Sequence, residues 1–535
     1  MEAVSPKTRS IDYYAAPYAL KHNPWWGLQI DLADADKLSE IPGLRINARE
    51  SRAEGYIDAV AAAASILGRV LPPARIAVEI LDQPGFPLHP YQREGLGLLN
   101  VITRETGSAL LADDMGLGKT RQAIAYAKQK GGRVFVVCPA FVRESWRAEL
   151  ARLGEKDVAI LGPSALKADK AEWDAAPQAK WVVTSYHHEM MQRAFDTAFP
   201  SGAPALFIMD EAHRLRGRDA KRAKAAKQIA ALSTYRMALT GTPMWSRPRD
   251  LYMILSILYG TRFGSQYDFD RRYCNGGINE HGGWDNKGAT NSAELKQRLS
   301  YYMIRRERHE VATQLPSLTR QVIWCDPDKA AEVAFHRALL TKDPGATHAA
   351  LLATHKAKVE AALDIASQAK RFLLLTYRKD LAHQMAAELN ESGTKCICIT
   401  GDMPTPARQG AVAEARACGA GLVATIDSIY EGVDGIQHVA DVGIMHALDY
   451  VPLKMAQAEA RLHRLGQTNP VNWYYLACRD SMDSLVVNTI ISKMDQNRAI
   501  MGQHVNRELR DSLADSAGME GEGQAAALKA LYDSL

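Results

Sequence analysis

Leu110-Leu111-Ala112-Asp113-Asp114-Met115-Gly116-Leu117-Gly118-Lys119-Thr120 joins an apolar stretch to a helix-forming one. A phosphate-binding loop needs this context, because glycines let the backbone approach an anion and the first N–H groups of a helix point at it. Lys119 is placed to neutralise the β and γ phosphates of ATP, and the Thr120 hydroxyl to hold Mg²⁺. The first glycine of the general pattern is replaced by Asp113. Further on, an apolar run at 206–209 ends in Asp210-Glu211-Ala212-His213. A strand ending in adjacent carboxylates offers one acid, Asp210, to Mg²⁺ and the other, Glu211, to orient and deprotonate an attacking water. The bland alternative is a solvated acidic turn. Leu239-Thr240-Gly241-Thr242-Pro243 has the small hydroxylic residues of a coupling loop beside a γ-phosphate, with an ordinary turn as the alternative. The run from Gln457 to Gln467 carries Arg461 and Arg464, three apart and therefore on one helix face. They suit an arginine finger; a solvated basic face is the alternative.

These residues need elements to present them. Apolar runs at 109–112, 134–137, 181–184, 206–209 and 238–240 alternate with helical stretches. A second series follows at 372–375, 396–399, 422–424, 442–446 and 473–476. Such alternation predicts α/β architecture, with parallel sheets and crossover helices. The expected divisions are a small N-terminal α+β domain at 1–85, a first lobe at 86–250 and a helical insertion at 251–365. A second lobe at 366–480 and a C-terminal helix with a polar tail at 481–535 complete them. Aromatics cluster early (Tyr13, Tyr14, Tyr18, Trp25, Trp26), as the core of a small domain or a surface for stacking on bases.

Composition excludes more than it assigns. With 65 basic against 61 acidic residues, net charge is only +4, so no polyanionic partner follows from charge alone. Charge is nevertheless concentrated after the acidic motif, at Arg214, Arg216, Arg218, Lys221, Arg222, Lys224 and Lys227, either a phosphate-binding patch or a solvated helix face. The seven cysteines form no paired C-x-x-C set, which argues against zinc and disulfides and for a reducing compartment. No apolar run is long enough to span a bilayer and no signal pattern opens the chain, so a cytoplasmic location is expected.

In this order the motifs resemble helicase superfamily two, DEAH variant, and within it the SWI/SNF-like ATPases. The carriers are Ala112 to Thr120, Val137-Cys138-Pro139 followed by Trp146, Thr184-Ser185-Tyr186, Leu239 to Pro243 and Arg461 to Gln467. Asp113 is usual in that family. The segments at 262–274 and 294–321, the latter with Arg305-Arg306, resemble the annealing-helicase, fork-remodelling branch, and 40–51 is similar to its small preceding module. The resemblance implies two tandem RecA-like lobes sharing one ATP site. It assigns Gln92 to adenine, Gly116, Gly118, Lys119, Thr120, Gly432 and Asp434 to nucleotide, and His213, Thr240, Thr242 and Gln457 to coupling. It places Pro139, Thr184, Thr400, Gly401 and Thr425 on the DNA backbone. The chain departs from the family at Gly432-Val433-Asp434-Gly435, where Gly-Leu-Asn is usual, and at Ile429-Tyr430-Glu431 in place of small residues.

The expected function is a monomeric, DNA-dependent, ATP- and Mg²⁺-using translocase on duplex or branched DNA, with reannealing or fork remodelling as its outcome. The alternatives are a strand-separating DNA or RNA helicase and an ATP-gated DNA-binding scaffold with low turnover. The compact size without chromatin-reading modules favours a bacterial or viral source and association with a nucleoid.

Overall fold

The computed structural model describes residues 26–29, 35–42, 44–47, 52–55, 57–66 and 88–501, except 164–166, 218–219, 245–246, 280–281, 312–314, 342–343, 431–432, 449–451, 465 and 480. The described chain forms two compact units, divided between Arg306 and Glu307, with 499–501 belonging to the first. The stretch expected as one helical insertion at 251–365 is therefore shared between them. Tyr13, Tyr14, Tyr18, Trp25, Arg218, Glu431, Gly432 and the tail lie outside the described residues.

The first unit opens with a small antiparallel sheet, in the order β1 (Trp26–Gln29), β3 (Arg52–Gly55), β2 (Leu44–Asn47). Its helix Ile57–Ile66 carries Asp58, fully buried and ion-paired at 2.6 Å with the equally buried Arg298. The main sheet contains β4 (Ser108–Leu111), β5 (Val134–Cys138), β6 (Val158–Ile160), β7 (Trp181–Ser185), β8 (Leu206–Asp210) and β9 (Tyr235–Leu239). After a two-stranded ribbon, β10 (Gly277–Ile278) with β11 (Trp284–Asp285), the chain returns to it as β12 (Met303–Ile304). The order is β12-β4-β9-β8-β5-β7-β6, parallel throughout. β4, β5 and β8 are buried along their whole lengths. Strands covered on both faces read as unbroken apolar runs, as these do.

The second unit holds β13 (Leu318–Cys325), β14 (Phe372–Thr376), β15 (Cys396–Ile399), β16 (Gly421–Thr425), β17 (Val442–Met445) and β18 (Val471–Cys478). They form one parallel sheet ordered β13-β18-β17-β14-β16-β15. Two parallel sheets with crossover helices are the architecture expected from the alternation of runs, and they are the two RecA-like lobes that the resemblance implies.

The second lobe stores a pH dependence. His446 is fully buried, with Nε2 2.8 Å from the His355 carbonyl and Nδ1 3.3 Å from the Thr376 hydroxyl. Burial, then Lys358 and His355, hold its pKa well below the ordinary histidine value. Burial and Lys358 lower that of His355 to about 4. The buried Lys358–Asp483 pair, at 2.6 Å, also faces this cluster. The unfolded chain takes up protons near 6.5 while the native state does not, so stability rises with pH across the window. The second lobe's unfolding temperature should be highest above pH 6.5 and fall steadily towards pH 4. His446→Gln should flatten that slope in thermal melts taken at several pH values.

Candidate active site

The sheet order sets the site. β4, β9 and β8 are neighbours in register, Leu111 beside Leu239 and Leu239 beside Asp210. The loops that follow them leave the sheet side by side at its carboxyl edge, where open parallel sheets bind ligands. The loop after β4 leads into the helix Lys119–Lys130, with Gly116 at φ 81° and its N-cap Gly118 at φ 69°. A side chain at Gly118 would be strained by that φ and would place its Cβ 2.4 Å from Gln92 Nε2. Lys119 Nζ folds onto the loop, donating to the Asp113 and Asp114 carbonyls at 2.9 and 3.2 Å.

Gln92 underlies the loop. It is 2% exposed; Oε1 accepts from His89 N and Nε2 donates to Leu117 O at 3.1 Å. Tyr91 OH donates to the same carbonyl. Gln92 Nε2 carries two N–H groups, and the bond to Leu117 occupies one of them.

Asp113 is the residue that breaks the general loop pattern, and the structure gives it a partner. It is fully buried, and Arg306 grips it from Nη2 at 2.5 Å, Nε at 3.0 Å and its backbone N at 3.1 Å. Gln122 Nε2 donates to Asp113 Oδ2 at 2.9 Å, and Arg306 also binds Gln122 Oε1 and the Tyr91 carbonyl. Arg305 Nη1 donates to the Ala112 carbonyl at 2.8 Å and to that of Gly241 at 3.4 Å. The Arg305-Arg306 pair thus anchors the phosphate loop. Asp113→Gly restores the general loop glycine yet strands a buried guanidinium. It should lower first-lobe stability by about 3–5 kcal/mol, read by denaturant unfolding, rather than improve nucleotide binding.

The two acids differ. Asp210 closes β8 and is 7% exposed; Oδ2 accepts the Trp146 indole N–H at 2.8 Å and Oδ1 the Glu211 backbone N–H at 3.0 Å. Tyr186 OH donates to its carbonyl at 2.7 Å. Glu211 sits at φ 51° and ψ 50°, a left-handed conformation that costs energy in a non-glycine residue and turns its carboxylate out of the strand line. Its Oε2 lies 3.2 Å from His213 Nδ1. Burial and the Glu211 carboxylate push the Asp210 pKa up. Burial opposes ionisation of Glu211, but His213, Lys119 and Arg214 outweigh it and hold that carboxyl low. His213 Nδ1 is also 3.2 Å from Thr240 Oγ1 and 3.4 Å from Thr242 Oγ1. Three of the four residues assigned to coupling, His213, Thr240 and Thr242, therefore meet at one nitrogen; the fourth, Gln457, lies on a helix of the second lobe. A Cβ on Gly241 would lie 3.4 Å from Lys119 Nζ and 2.8 Å from Met115 Cγ, so the loop approaches as only glycine permits.

These residues fit Mg²⁺ with a nucleotide. The Thr120 hydroxyl and Asp210 carboxylate are the hard oxygen donors this cation takes. Each Asp210 oxygen receives one N–H, from Trp146 and from Glu211, which leaves acceptor capacity on both.

In the second lobe the helix Pro452–Leu462 carries Gln457 and Arg461 one turn apart, with Arg464 just beyond its end. Glu459 pins that helix to the sheet through Arg320 at 2.8 Å and through the Tyr475 hydroxyl. Arg461 Nη1 donates to the Val433 carbonyl at 3.2 Å, and Arg464 Nη1 to Asp434 Oδ1 at 2.8 Å. Gln409 holds the Asp434 backbone from both ends, at 3.0 Å each. Asp434, Arg461 and Arg464, far apart in sequence, are thus drawn together.

The residues expected on the DNA backbone lie at the carboxyl ends of β5, β7, β15 and β16. Thr184 is fully buried with its hydroxyl on Leu161 O, Thr400 and Thr425 are 3% and 4% exposed, and Pro139 is buried; Gly401 alone of the five is exposed. The basic run after the acidic motif splits. Lys221, Arg222, Lys224 and Lys227 form the outer face of the helix Lys221–Leu232, whose Ala223, Ala226 and Ile229 are buried, the pattern of a solvated amphipathic helix. Trp146, Tyr186, Arg305 and Arg306 were visible in the sequence as motif members but had no role until the fold brought the first two to Asp210, Arg305 to the Ala112 and Gly241 carbonyls and Arg306 to Asp113.

The family described as "SNF2-related domain" matches residues 91–383. The bovine "DNA annealing helicase and endonuclease ZRANB3" is 30% identical over 427 residues, 75% of this chain and 39% of the relative. The Drosophila melanogaster "SWI/SNF-related matrix-associated actin-dependent regulator of chromatin subfamily A-like protein 1" is 28% identical over 468 residues, 80% of this chain and 57% of the relative. The chain therefore spans less than two thirds of the length of these relatives. A solved Sulfolobus solfataricus SWI2/SNF2 ATPase core in complex with dsDNA aligns with 79% of this chain and 99% of that one, at 20% identity and TM-score 0.40. Among the described residues no helix is long and apolar enough to cross a membrane, and no group of His, Cys, Asp and Glu is arranged to hold a metal ion alone. With the first-lobe motifs assembled at one sheet edge and more than half its length matched, the chain belongs to the SNF2-related family, and its relatives fit the annealing-helicase branch.

Proposed function

We propose that the chain hydrolyses ATP to translocate on double-stranded DNA, with strand reannealing or fork remodelling as the product of that movement. The observation that carries this is the meeting of Lys119, Asp210, Glu211, His213, Thr240 and Thr242 at the ends of three adjacent strands. Lys119 binds the β and γ phosphates; Thr120 and Asp210 hold Mg²⁺, which supplies charge neutralisation on the phosphates. Glu211 orients the attacking water and accepts its proton. His213 senses the site through Glu211 and passes the change to Thr240 and Thr242. Arg461 and Arg464 neutralise charge on the γ-phosphate in the transition state, and Gly432 with Asp434 belongs to the same nucleotide-sensing segment. Pro139, Thr184, Thr400, Gly401 and Thr425 mark the strand ends that grip the phosphodiester backbone. The protein works where cellular DNA is.

ATPase rates measured with single-stranded, duplex and forked DNA and with RNA test the reading. Duplex and fork should stimulate, and a triplex-forming strand should be displaced without unwinding of the duplex. Lack of stimulation by any DNA would sink the proposal.

A further inference from the structure

A second feature of the first lobe is not used by the nucleotide site. The ribbon of β10 and β11 presents three large apolar side chains to solvent in one place: Ile278 at 77%, Trp284 at 42% and, from the adjoining helix Gln266–Tyr273, Tyr267 at 55% exposure. Ile278 and Trp284 are register partners, and the Tyr267 and Trp284 rings lie 5.1 Å apart and 30° from parallel. Single exposed apolar residues need no explanation, but a cluster marks a binding surface.

The platform is held from below. Asn286 Nδ2 donates to the buried Asp270 at 2.7 Å, Gly288 N to Cys274 O and Thr290 N to Tyr273 O. Arg249 Nη1 reaches Asn286 Oδ1 at 3.1 Å, tying the ribbon to a neighbouring pocket lined by Arg216, Arg247, Arg249 and Gln266. Asp250 also lines it, with Oδ2 on the Arg247 backbone N–H. Gln266 Oε1 is buried there with no hydrogen-bond donor among the described residues. A rigid aromatic face, three guanidinium groups and an amide oxygen that lacks a donor match the π-face, the phosphate and the exocyclic amine of one nucleotide.

We propose that Tyr267 and Trp284 form a stacking platform for an unpaired nucleobase, with its phosphate held by Arg216, Arg247 and Arg249. The site rests on the proposal that the chain acts on DNA, and it gives the motor a means to engage the unpaired part of a branched substrate. Arg247 follows the coupling-loop residue Thr242 by five positions in the sequence.

The test uses the full chain, a 2-aminopurine-labelled single strand, a fork and a blunt duplex. Tyr267→Ser with Trp284→Ser should weaken single-strand and fork binding about tenfold and abolish 2-aminopurine quenching. Duplex-stimulated ATPase should stay within about twofold. Trp284→Phe should retain binding, and Arg249→Gln should lower the salt slope of single-strand binding by about one. Unchanged single-strand affinity, or an equal loss on duplex, overturns the site. So does loss of a concentration-dependent dimer with nucleic-acid binding intact. Quenching that depends on both rings, in a protein no DNA stimulates, upholds the site and overturns the motor reading instead.

Discussion

Glu211→Gln should lower the DNA-stimulated turnover of ATP by about 10²–10⁴ while nucleotide binding stays close to that of the unsubstituted chain. The substitution keeps size and hydrogen bonding and removes only the proton acceptor. Its structural cost is small, because the Glu211 side chain is 31% exposed and an amide can keep the contact with His213 at 3.2 Å. The left-handed backbone at φ 51° is imposed by the turn into the Ala212–Leu215 segment, so the amide will occupy the carboxylate's place. Lys119→Ala differs in kind. Its ammonium is spent on two loop carbonyls, and its loss should remove binding as well as turnover. Single-turnover hydrolysis beside equilibrium binding of a fluorescent nucleotide separates the two. If Glu211→Gln retains more than about a tenth of the rate, the water is activated elsewhere.

Much of this was legible in the sequence, for a physical reason. The central strands are covered on both faces, so β5 reads Val134-Phe135-Val136-Val137 without a break, and β14 reads Phe372-Leu373-Leu374-Leu375. The motifs at their ends then locate themselves. The same logic explains what was missed. β13 alternates Leu318, Thr319, Arg320 and Gln321, because it is the outermost strand of its sheet and only partly covered. β12 has two residues and inherits its place from Leu110 and Leu111 beside it. Long-range polar pairing is the least legible of all. Nothing in the spacing says that Arg306 holds Asp113 or that Arg298 holds Asp58, 193 and 240 residues away. Those pairs nonetheless decide how the segment at 262–306 is used. Its Tyr302 and Arg298 hold Asp58 of the small N-terminal module, while Arg305 and Arg306, immediately after β12, hold the phosphate loop. The departure of the loop from its general pattern is thus the counterpart of a buried arginine rather than a weakness in the site.

Arg461→Ala and Arg464→Ala should each lower the DNA-stimulated rate by about 10³–10⁵ if these guanidinium groups meet the transition-state charge. Their resting contacts make this a clean measurement. Arg464 is 30% exposed and pairs with an Asp434 that is 71% exposed, a pair worth little to stability in water. Arg461 Nη1 donates to the Val433 carbonyl, a neutral acceptor. The helix that carries Arg461 is fixed instead by the buried Glu459 with Arg320 and Tyr475, which neither substitution touches. The melting temperature should therefore stay within a few degrees while the rate collapses. Arg461→Lys should recover little, because a point charge on a flexible stem does not reproduce a planar fork. Asp434→Ala gives the internal control. Releasing Arg464 from its resting partner should leave the rate within about tenfold and lower the salt sensitivity of turnover. A large drop in stability with Arg461→Ala, or full activity without either arginine, would assign the pair to the solvated surface of the second lobe instead.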